Sequence, residues 1–239
     1  MGSPDTQSEQ INYKPGIIRW VITSIIFLIL IAASLFLSAG TLDWQMAWIY
    51  IAMAAAIQTL DAIVLNSISP ELLGERSRYQ KGAKKWDQFL SRIMAAIGPI
   101  TIWIVSGLDY RYSWSSKFPN WLVILSAGLV FLGGLLVLWA MASNRFFIGM
   151  VRIQEERGHT VIKSGPYQYV RHPGYLGSLS FILFTPLMLG SLWALIPAGL
   201  TCGVVFLRTY LEDNTLKAEL AGYLEYSQEV RSRLLPGIW

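Results

Sequence analysis

The stretch HTVIKSGPYQYVRHPGYLG, residues 159–177, is a polar, aromatic and proline-punctuated segment set between long apolar runs. Pro166 and Pro173 each fix φ, and each disfavours helical geometry in the residue before it. We therefore predict a defined loop over residues 165–172, with Pro173 in the first turn of the next helix. The start of that helix directs unpaired N–H groups and a positive dipole end toward the loop, which suits an anionic group.

The side chains of this loop fit a ligand with an aromatic part. Arg171 adds positive charge and His172 adds two ring nitrogens, while Tyr167, Tyr169 and Tyr175 supply flat faces and hydroxyls. The alternative interpretation is an aromatic belt with a helix cap at a membrane interface.

Upstream, Gln154 and residues 159–162 form a short extended approach to the loop. Its backbone N–H and C=O groups are suited to a polar ligand edge, although a plain connector has the same pattern.

A second polar cluster, Arg208-Thr-Tyr-Leu-Glu-Asp213, emerges from an apolar run. Arg208 and Glu212 are four residues apart and share one helix face, so a simple ion pair is the alternative to a functional role. Asp213 points roughly 100° around the helix from Glu212. Ionisable groups at membrane depth are usually functional. We predict that this cluster and the loop adjoin and form one site where a membrane helix meets water.

The composition indicates an integral membrane protein. The chain has 239 residues, 54% hydrophobic and 14% charged, with a mean hydropathy of +0.44, and several runs reach the ~20 apolar residues that span a bilayer. The pI near 9.2 then reflects topology, so no nucleic-acid partner is expected. The one cysteine, Cys202, excludes an intramolecular disulfide, and its apolar run favours a packing role.

We predict an all-α polytopic fold of about six transmembrane helices, ending in a helical hairpin. Its parts are a flexible cytosolic tail (1–16), N-terminal transmembrane helices (17–141) with an interfacial basic segment (66–90), and a catalytic region (142–239). The predicted spans are 17–37, 44–65, 89–108, 121–141, 175–189 and 192–211.

Several local features refine this prediction. The run 175–189 is short, so it is tilted, kinked at Pro186, or not fully spanning. A kink is expected at Gly98-Pro99, and close helix contact at the glycines Gly128, Gly133 and Gly134. Residues 144–157 are predicted to continue as a polar helix. The segment 66–90 is either a solvated topogenic loop or an interfacial helix that closes the site.

Charge distribution predicts the orientation. Seventeen of the nineteen Lys and Arg residues fall on one side of this topology, and only Arg111 and Lys117 fall on the other. This positive-inside bias places both termini and the site in the cytosol. There is no P-loop, GxSxG, HExxH, CxxC or GxGxxG motif. With two histidines in a loop, no metal site is expected.

The string SGPYxYVRHPxYLG, followed by Arg-x-x-x-Glu-Asp and then GYLEY with a late proline, resembles the isoprenylcysteine carboxyl methyltransferase family and the related phospholipid methyltransferases. The resemblance covers roughly residues 140–239. Residues 66–90 resemble bacterial members, which implies a bacterial inner membrane. Many relatives carry Glu-Glu where this chain has Glu212-Asp213.

The resemblance implies S-adenosylmethionine as cofactor, a membrane lipid environment, and a lipophilic or prenylated acceptor arriving from the bilayer. The favoured acceptor is the carboxylate of an isoprenylcysteine-like molecule. Arg208 is implied as the catalytic clamp for that carboxylate. The implied cofactor contacts are Gln154, His159, Thr160, Val161, Ile162, Tyr167, His172, Pro173, Gly174, Tyr175 and Glu212.

Three alternatives remain at this point. One is a methyltransferase acting on a phospholipid amine or a thiol, and another is an NADPH-dependent membrane reductase of the sterol type. The third is a non-enzymatic scaffold or transporter, for which Asp61 in the second span is the one hint of a polar path. The sequence carries no signal for an oligomeric state.

Overall fold

The computed structural model describes residues 14–76 and 82–239, and within these ranges the chain is helical with no strand. The prediction of an all-α membrane protein is confirmed. The tail 1–13 and residues 77–81 of the basic segment lie outside the described residues. The helices are α1 (Lys14–Ala39), α2 (Gln45–Ile68), α3 (Pro70–Arg76), α4 (Lys85–Arg92), α5 (Gly98–Tyr112), α6 (Asn120–Ser143), α7 (Pro173–Met188), α8 (Leu195–Glu219) and α9 (Tyr223–Glu229).

Five of the six predicted spans are helices long and apolar enough to cross a membrane: Ile18–Ala39, Gln45–Ile68, Lys85–Tyr112, Asn120–Ser143 and Leu195–Glu219. The sixth, α7, has 16 residues and a length of about 24 Å at ~1.5 Å per residue. That is shorter than a bilayer core of ~30 Å. The described part of the chain therefore contains five long spans and one short apolar helix.

The third span is deformed where a kink is predicted. A π-helical turn, Ile93–Ile97, joins α4 to α5 directly before Gly98 and Pro99. Proline lacks an N–H and its ring crowds the carbonyl four residues back, so a wider turn relieves this conflict. Gly98 packs against Thr201 of α8, and a Cβ there would clash with the threonine side chain. This contact holds the π-helical turn against α8.

Helices α6 and α7 touch through their backbones. A Cβ added to Gly133 would lie 2.8 Å from the Gly177 carbonyl oxygen, and one added to Gly177 would lie 2.5 Å from the Gly133 oxygen. Gly134 lies close to α2, where an added Cβ would lie 2.5 Å from the Ile57 side chain. The expectation for Gly128 is wrong, because no atom of the residues that the structure describes lies within 4 Å of a Cβ placed there. The contact between Gly133 and Gly177 fixes the position of α7 against α6, and the first turn of α7 carries part of the loop motif.

At the opposite end of the bundle, Asp109 ties three segments together. Its buried carboxylate accepts hydrogen bonds from the Ser115 backbone N (2.7 Å), the Ser115 hydroxyl (2.6 Å) and the Ser191 hydroxyl. The Leu192 backbone N also donates to Ser115 Oγ at 2.9 Å. These bonds anchor the α7–α8 hairpin turn to the end of α5.

The predicted polar helix over residues 144–157 is wrong. Helix α6 ends at Ser143, and Asn144 Oδ1 then accepts a hydrogen bond from the Phe146 backbone N at 2.8 Å. This side-chain bond competes with helix continuation and turns the chain. Only Glu155–Arg157 form a short 3₁₀ turn. The segment instead crosses the end of the bundle as an irregular loop.

Candidate active site

One cavity gathers both predicted clusters. It has a volume of about 290 Å³ and lies at the end of the bundle that carries the loop 159–172 and the last turns of α8. All twelve predicted site residues line it: Gln154, His159, Thr160, Val161, Ile162, Tyr167, His172, Pro173, Gly174, Tyr175, Arg208 and Glu212. The two sequence clusters therefore adjoin, as predicted.

Glu212 is the point where the clusters meet. The Tyr175 hydroxyl donates a hydrogen bond to Glu212 Oε2, and His172 Nδ1 lies 4.0 Å from Glu212 Oε1. Its side chain retains 22% exposure. Among the described residues that line the cavity, Glu212 is the only carboxylate. It therefore gives the cavity a local negative charge.

Three of the four arginines that line the cavity have carboxylate partners outside its lining, while the guanidinium of Arg76 lies over the Phe147 ring, 5.4 Å from its centroid. Arg208 pairs with Asp87, Arg171 with Asp213, and Arg152 with Glu156 at 2.7 Å. The main ion-pair partners of these three cations are therefore carboxylates other than Glu212.

Arg208 makes a buried, two-pronged ion pair with Asp87 of α4. Arg208 Nε lies 2.6 Å from Asp87 Oδ1, and Nη2 lies 3.1 Å from Oδ2 and 2.7 Å from the Gly149 carbonyl oxygen. The guanidinium also stacks over the Tyr175 ring, 5.3 Å from its centroid. The simple Arg208–Glu212 pair considered from the spacing is not the arrangement found.

Asp213 is a buried hub that the sequence did not single out as a site residue. It accepts hydrogen bonds from Arg171 Nε (2.7 Å) and Nη2 (3.0 Å), Arg233 Nε (3.0 Å) and the Tyr223 hydroxyl (3.1 Å), and Lys217 Nζ lies 3.0 Å away. It thus joins the loop, α8 and the C-terminal segment.

Arg171 serves this junction and is not presented to the cavity as a free charge. Beyond Asp213, its Nη1 donates to the carbonyl oxygens of Val230 (2.6 Å) and Arg231 (2.8 Å). Burial disfavours the guanidinium charge, but the Asp213 carboxylate outweighs this and the pKa of Arg171 is raised. The arginine therefore stays charged and holds the C-terminal segment over the site.

His172 lies between Glu212 and Asp213 of α8. Its Nε2 is 3.4 Å from Asp213 Oδ1 and 3.3 Å from the Tyr223 hydroxyl, and its ring stacks on Tyr175 at 20°. Its backbone N donates to the Arg233 carbonyl oxygen at 2.9 Å. The histidine ring is thus oriented by the hub and presents its Nδ1 side toward Glu212.

Gln154 lines the cavity, but its side-chain amide braces the surrounding loop. Nε2 donates to the Phe146 carbonyl oxygen at 2.8 Å, and Oε1 accepts from Arg157 Nη1 at 2.6 Å. The Gln154 backbone N points to His159 Nδ1 at 3.3 Å, so that nitrogen acts as an acceptor. Burial, followed by the charges of Arg157 and Arg152, lowers the pKa of His159 to about 4. His159 is consequently neutral near pH 7.

The loop tyrosines behave differently from one another. Tyr167 is buried and accepts a hydrogen bond from Asn144 Nδ2 at 3.1 Å, and burial raises the pKa of its hydroxyl. Tyr169 is 64% exposed and does not line the cavity. Gly174 forms the wall itself, because a Cβ there would lie 2.6 Å from the Phe147 ring.

Sequence reasoning missed the part of the wall that comes from irregular or distant segments. The loop after α6 contributes 146–152, the π-turn contributes Met94 and Ala95, and α4 contributes Ser91. The C-terminal side adds Leu216, Leu220, Tyr223 and Tyr226. A solitary acid among basic residues, Asp87 in KKWDQ, was the only local signal for the Arg208 partner.

Comparison with known families agrees with this geometry. Residues 122–218 match the model of the isoprenylcysteine carboxyl methyltransferase (ICMT) family. The matched range includes α6 from Leu122 onward, the loop motif and all twelve predicted site residues, but not Asp87. No curated protein matches the chain. Residues 122–218 are thus similar to the isoprenylcysteine carboxyl methyltransferase family, and this range contains most of the residues that line the cavity.

Proposed function

We propose that this membrane methyltransferase uses S-adenosylmethionine to methylate a lipophilic carboxylate, most simply that of an isoprenylcysteine-like molecule. The observation that carries the proposal is the single cavity in which the loop 159–175 meets Arg208 and Glu212, inside the family-matched range.

The chemistry of the lining fits a cationic cofactor. Glu212 supplies a negative charge, while His159 is neutral and the pKa of the Tyr167 hydroxyl is raised by burial. Aromatic faces and the backbone of residues 159–162 complete a mixed apolar and polar wall. A cavity near 290 Å³ is at the lower end of the ~300–1,000 Å³ typical of ligand sites. The eleven predicted cofactor contacts all belong to this wall.

When bound, S-adenosylmethionine would supply a methyl group on a positively charged sulfur, and attack of a carboxylate oxygen on the methyl carbon would form the C–O bond and break the C–S bond. The electron pair of the broken bond would stay on sulfur, and no proton would be transferred. A carboxylate acceptor is already ionised near pH 7. The protein therefore needs no general base, and its task is alignment and exclusion of water.

The residues divide this task between them. Arg208 has a permanent positive charge that can orient a carboxylate from the cavity. Glu212, positioned by the Tyr175 hydroxyl, favours positive charge beside it. Asp213 and Arg171 hold the C-terminal segment over the cavity, and that cover limits the access of water.

The same proposal includes an orientation. Three segments that carry basic residues meet at the site end of the bundle: Arg208 of α8 contacts Asp87 of α4 and the Gly149 carbonyl oxygen in the loop after α6, and Lys84 pairs with Glu219. By the positive-inside rule this end faces the cytosol, and the acceptor then reaches Arg208 from the bilayer.

The test uses purified protein in nanodiscs with isotopically labelled S-adenosylmethionine and a farnesylated cysteine derivative. We expect a base-labile methyl ester, and calorimetric binding of S-adenosylmethionine that is lost in Glu212→Gln and His172→Ala. Tyr169→Phe is the matched control, because this tyrosine is in the same loop but outside the cavity, and it should behave like the wild type.

The competing functions give different results in the same assay. Labelled lipid amine or thiol in an untargeted lipid extract would change the acceptor, and binding of NADPH instead of S-adenosylmethionine would replace the reaction class. No binding of S-adenosylmethionine in several detergents and in nanodiscs would refute the proposal.

A further inference from the structure

Asp87 is a fully buried carboxylate whose hydrogen-bond partners Arg208, Val151 and Ser91 line the cavity. It is 0% exposed and accepts from Arg208 Nε (2.6 Å) and Nη2 (3.1 Å), from the Val151 backbone N (2.7 Å) and from Ser91 Oγ (3.2 Å). It stands on α4, outside the family-matched residues 122–218. The arginine at the centre of the proposed reaction is thus held by an element outside that range.

This ion pair decides which side of Arg208 is available to an acceptor. The Nε–Nη2 edge, which would grip a carboxylate by two parallel hydrogen bonds, is taken by Asp87, and Nη2 is shared with the Gly149 carbonyl oxygen. Nη1 has a weak contact, with Met94 Sδ at 3.8 Å. Because Arg208 and Met94 both line the cavity, Nη1 is the nitrogen that a ligand in the cavity can reach.

The pairing also changes how strongly Arg208 attracts an anion. An unpaired, buried guanidinium would bind an acceptor carboxylate tightly before the reaction. The methyl transfer then neutralises the negative charge of that carboxylate. Such a contact stabilises the ground state more than the transition state, and that lowers kcat. With Asp87 as a permanent partner, Arg208 orients an acceptor carboxylate while withdrawing less of its charge.

We propose that Asp87 is a positioning residue for the acceptor. It fixes the Arg208 guanidinium so that Nη1 makes a one-pronged contact with the acceptor carboxylate, and it keeps that carboxylate nucleophilic by sharing the arginine charge. This inference rests on the proposed carboxyl methylation.

A second ion pair, between two residues that are distant in the sequence and adjacent in the fold, provides the control. Lys84, the residue before α4, lies 2.6 Å from Glu219 at the end of α8, with side chains 33% and 43% exposed. Glu219→Gln removes this contact between the residue preceding α4 and the end of α8, and neither residue of the pair lines the cavity. It reports what loosening the α4–α8 contact does by itself.

The experiment compares wild type, Asp87→Asn, Asp87→Glu and Glu219→Gln in nanodiscs. Calorimetry measures binding of the farnesylated cysteine derivative to cofactor-free protein, and binding of S-adenosylmethionine separately. Turnover with labelled S-adenosylmethionine gives kcat and the acceptor KM.

For Asp87→Asn we expect tighter acceptor binding to the cofactor-free protein, because Arg208 is released toward the cavity. We also expect kcat to fall by about 10- to 100-fold through misalignment of the acceptor, with S-adenosylmethionine binding unchanged. Asp87→Glu, which keeps the charge, should retain more of kcat than Asp87→Asn. Glu219→Gln should match the wild type.

Weaker or unchanged acceptor binding in Asp87→Asn, or a parallel loss of S-adenosylmethionine binding, would overturn the positioning role. Failure of both Asp87 variants to fold would do the same, since it would assign Asp87 a structural role only. A wild type that binds S-adenosylmethionine and methylates another acceptor class, or binds none, is a failure of the proposed function and is recognised before any variant is compared.

Discussion

Replacement of Asp213 by asparagine is the sharpest test of the hub that closes the site. The side chain keeps its size but loses the charge that joins α8 to the loop and the C-terminal segment. Arg171, whose side chain is 3% exposed, would then be a buried cation without its carboxylate. Arg233 and Lys217, at 22% and 28% exposure, would lose the same partner but remain partly hydrated.

The magnitude follows from that difference in burial. Removing one partner of a buried ion pair costs about 3–5 kcal/mol, and the two more exposed cations add less because water screens them. For a chain of this size, each kcal/mol lowers the melting temperature by roughly 2–4 °C. We therefore expect Asp213→Asn to lower the midpoint by about 6–20 °C.

The measurement is thermal unfolding of nanodisc-embedded protein followed by tryptophan fluorescence, with limited proteolysis of the segment 223–239. The control is Glu229→Gln, which removes the Lys163–Glu229 pair on the surface, where the side chains are 50% and 56% exposed. That pair is worth at most about 1 kcal/mol. If Asp213→Asn shifts the midpoint no more than Glu229→Gln and leaves the C-terminal segment protected, the hub interpretation is refuted.

Two further predictions concern packing and pH. Gly177→Ala would place a Cβ 2.5 Å from the Gly133 carbonyl oxygen and should lower the free energy of unfolding by about 1–3 kcal/mol, as measured by thermal unfolding. Gly203→Ala on α8 is the control, because no described atom lies within 4 Å of a Cβ there, and it should be neutral or stabilising. Equal effects of the two substitutions would contradict the backbone contact. The His159 pKa of about 4 lies below its usual 6.5, so the unfolded chain takes up the proton first, and stability present above pH 6.5 is lost as pH falls from 6.5 toward 4. Unfolding midpoints across this range should fall less steeply in His159→Gln, and an identical pH profile would contradict the burial of a neutral histidine.

Some backbone features around the site depend only on residues that are adjacent in the sequence. Pro166 and Pro173 act on their own neighbours, so the break before α7 and its start at Pro173 were predictable. The helix predicted over 144–157 failed for an equally local reason, since the Asn144 side chain turns the backbone. The polar residues over 144–157 were read as a helix, and the sequence pattern did not reveal the turn at Asn144.

The sequence by itself determined the helical membrane fold, the positions of the apolar runs and the two polar clusters that meet in the cavity. These depend on composition, run length and proline position, all of which act over a few residues. The tertiary structure decided the partners of the charges: Asp87 and Arg208 are 121 residues apart, and Arg171 and Asp213 are 42 apart. No local pattern selects one buried carboxylate for one arginine, because that choice depends on which helix faces pack together.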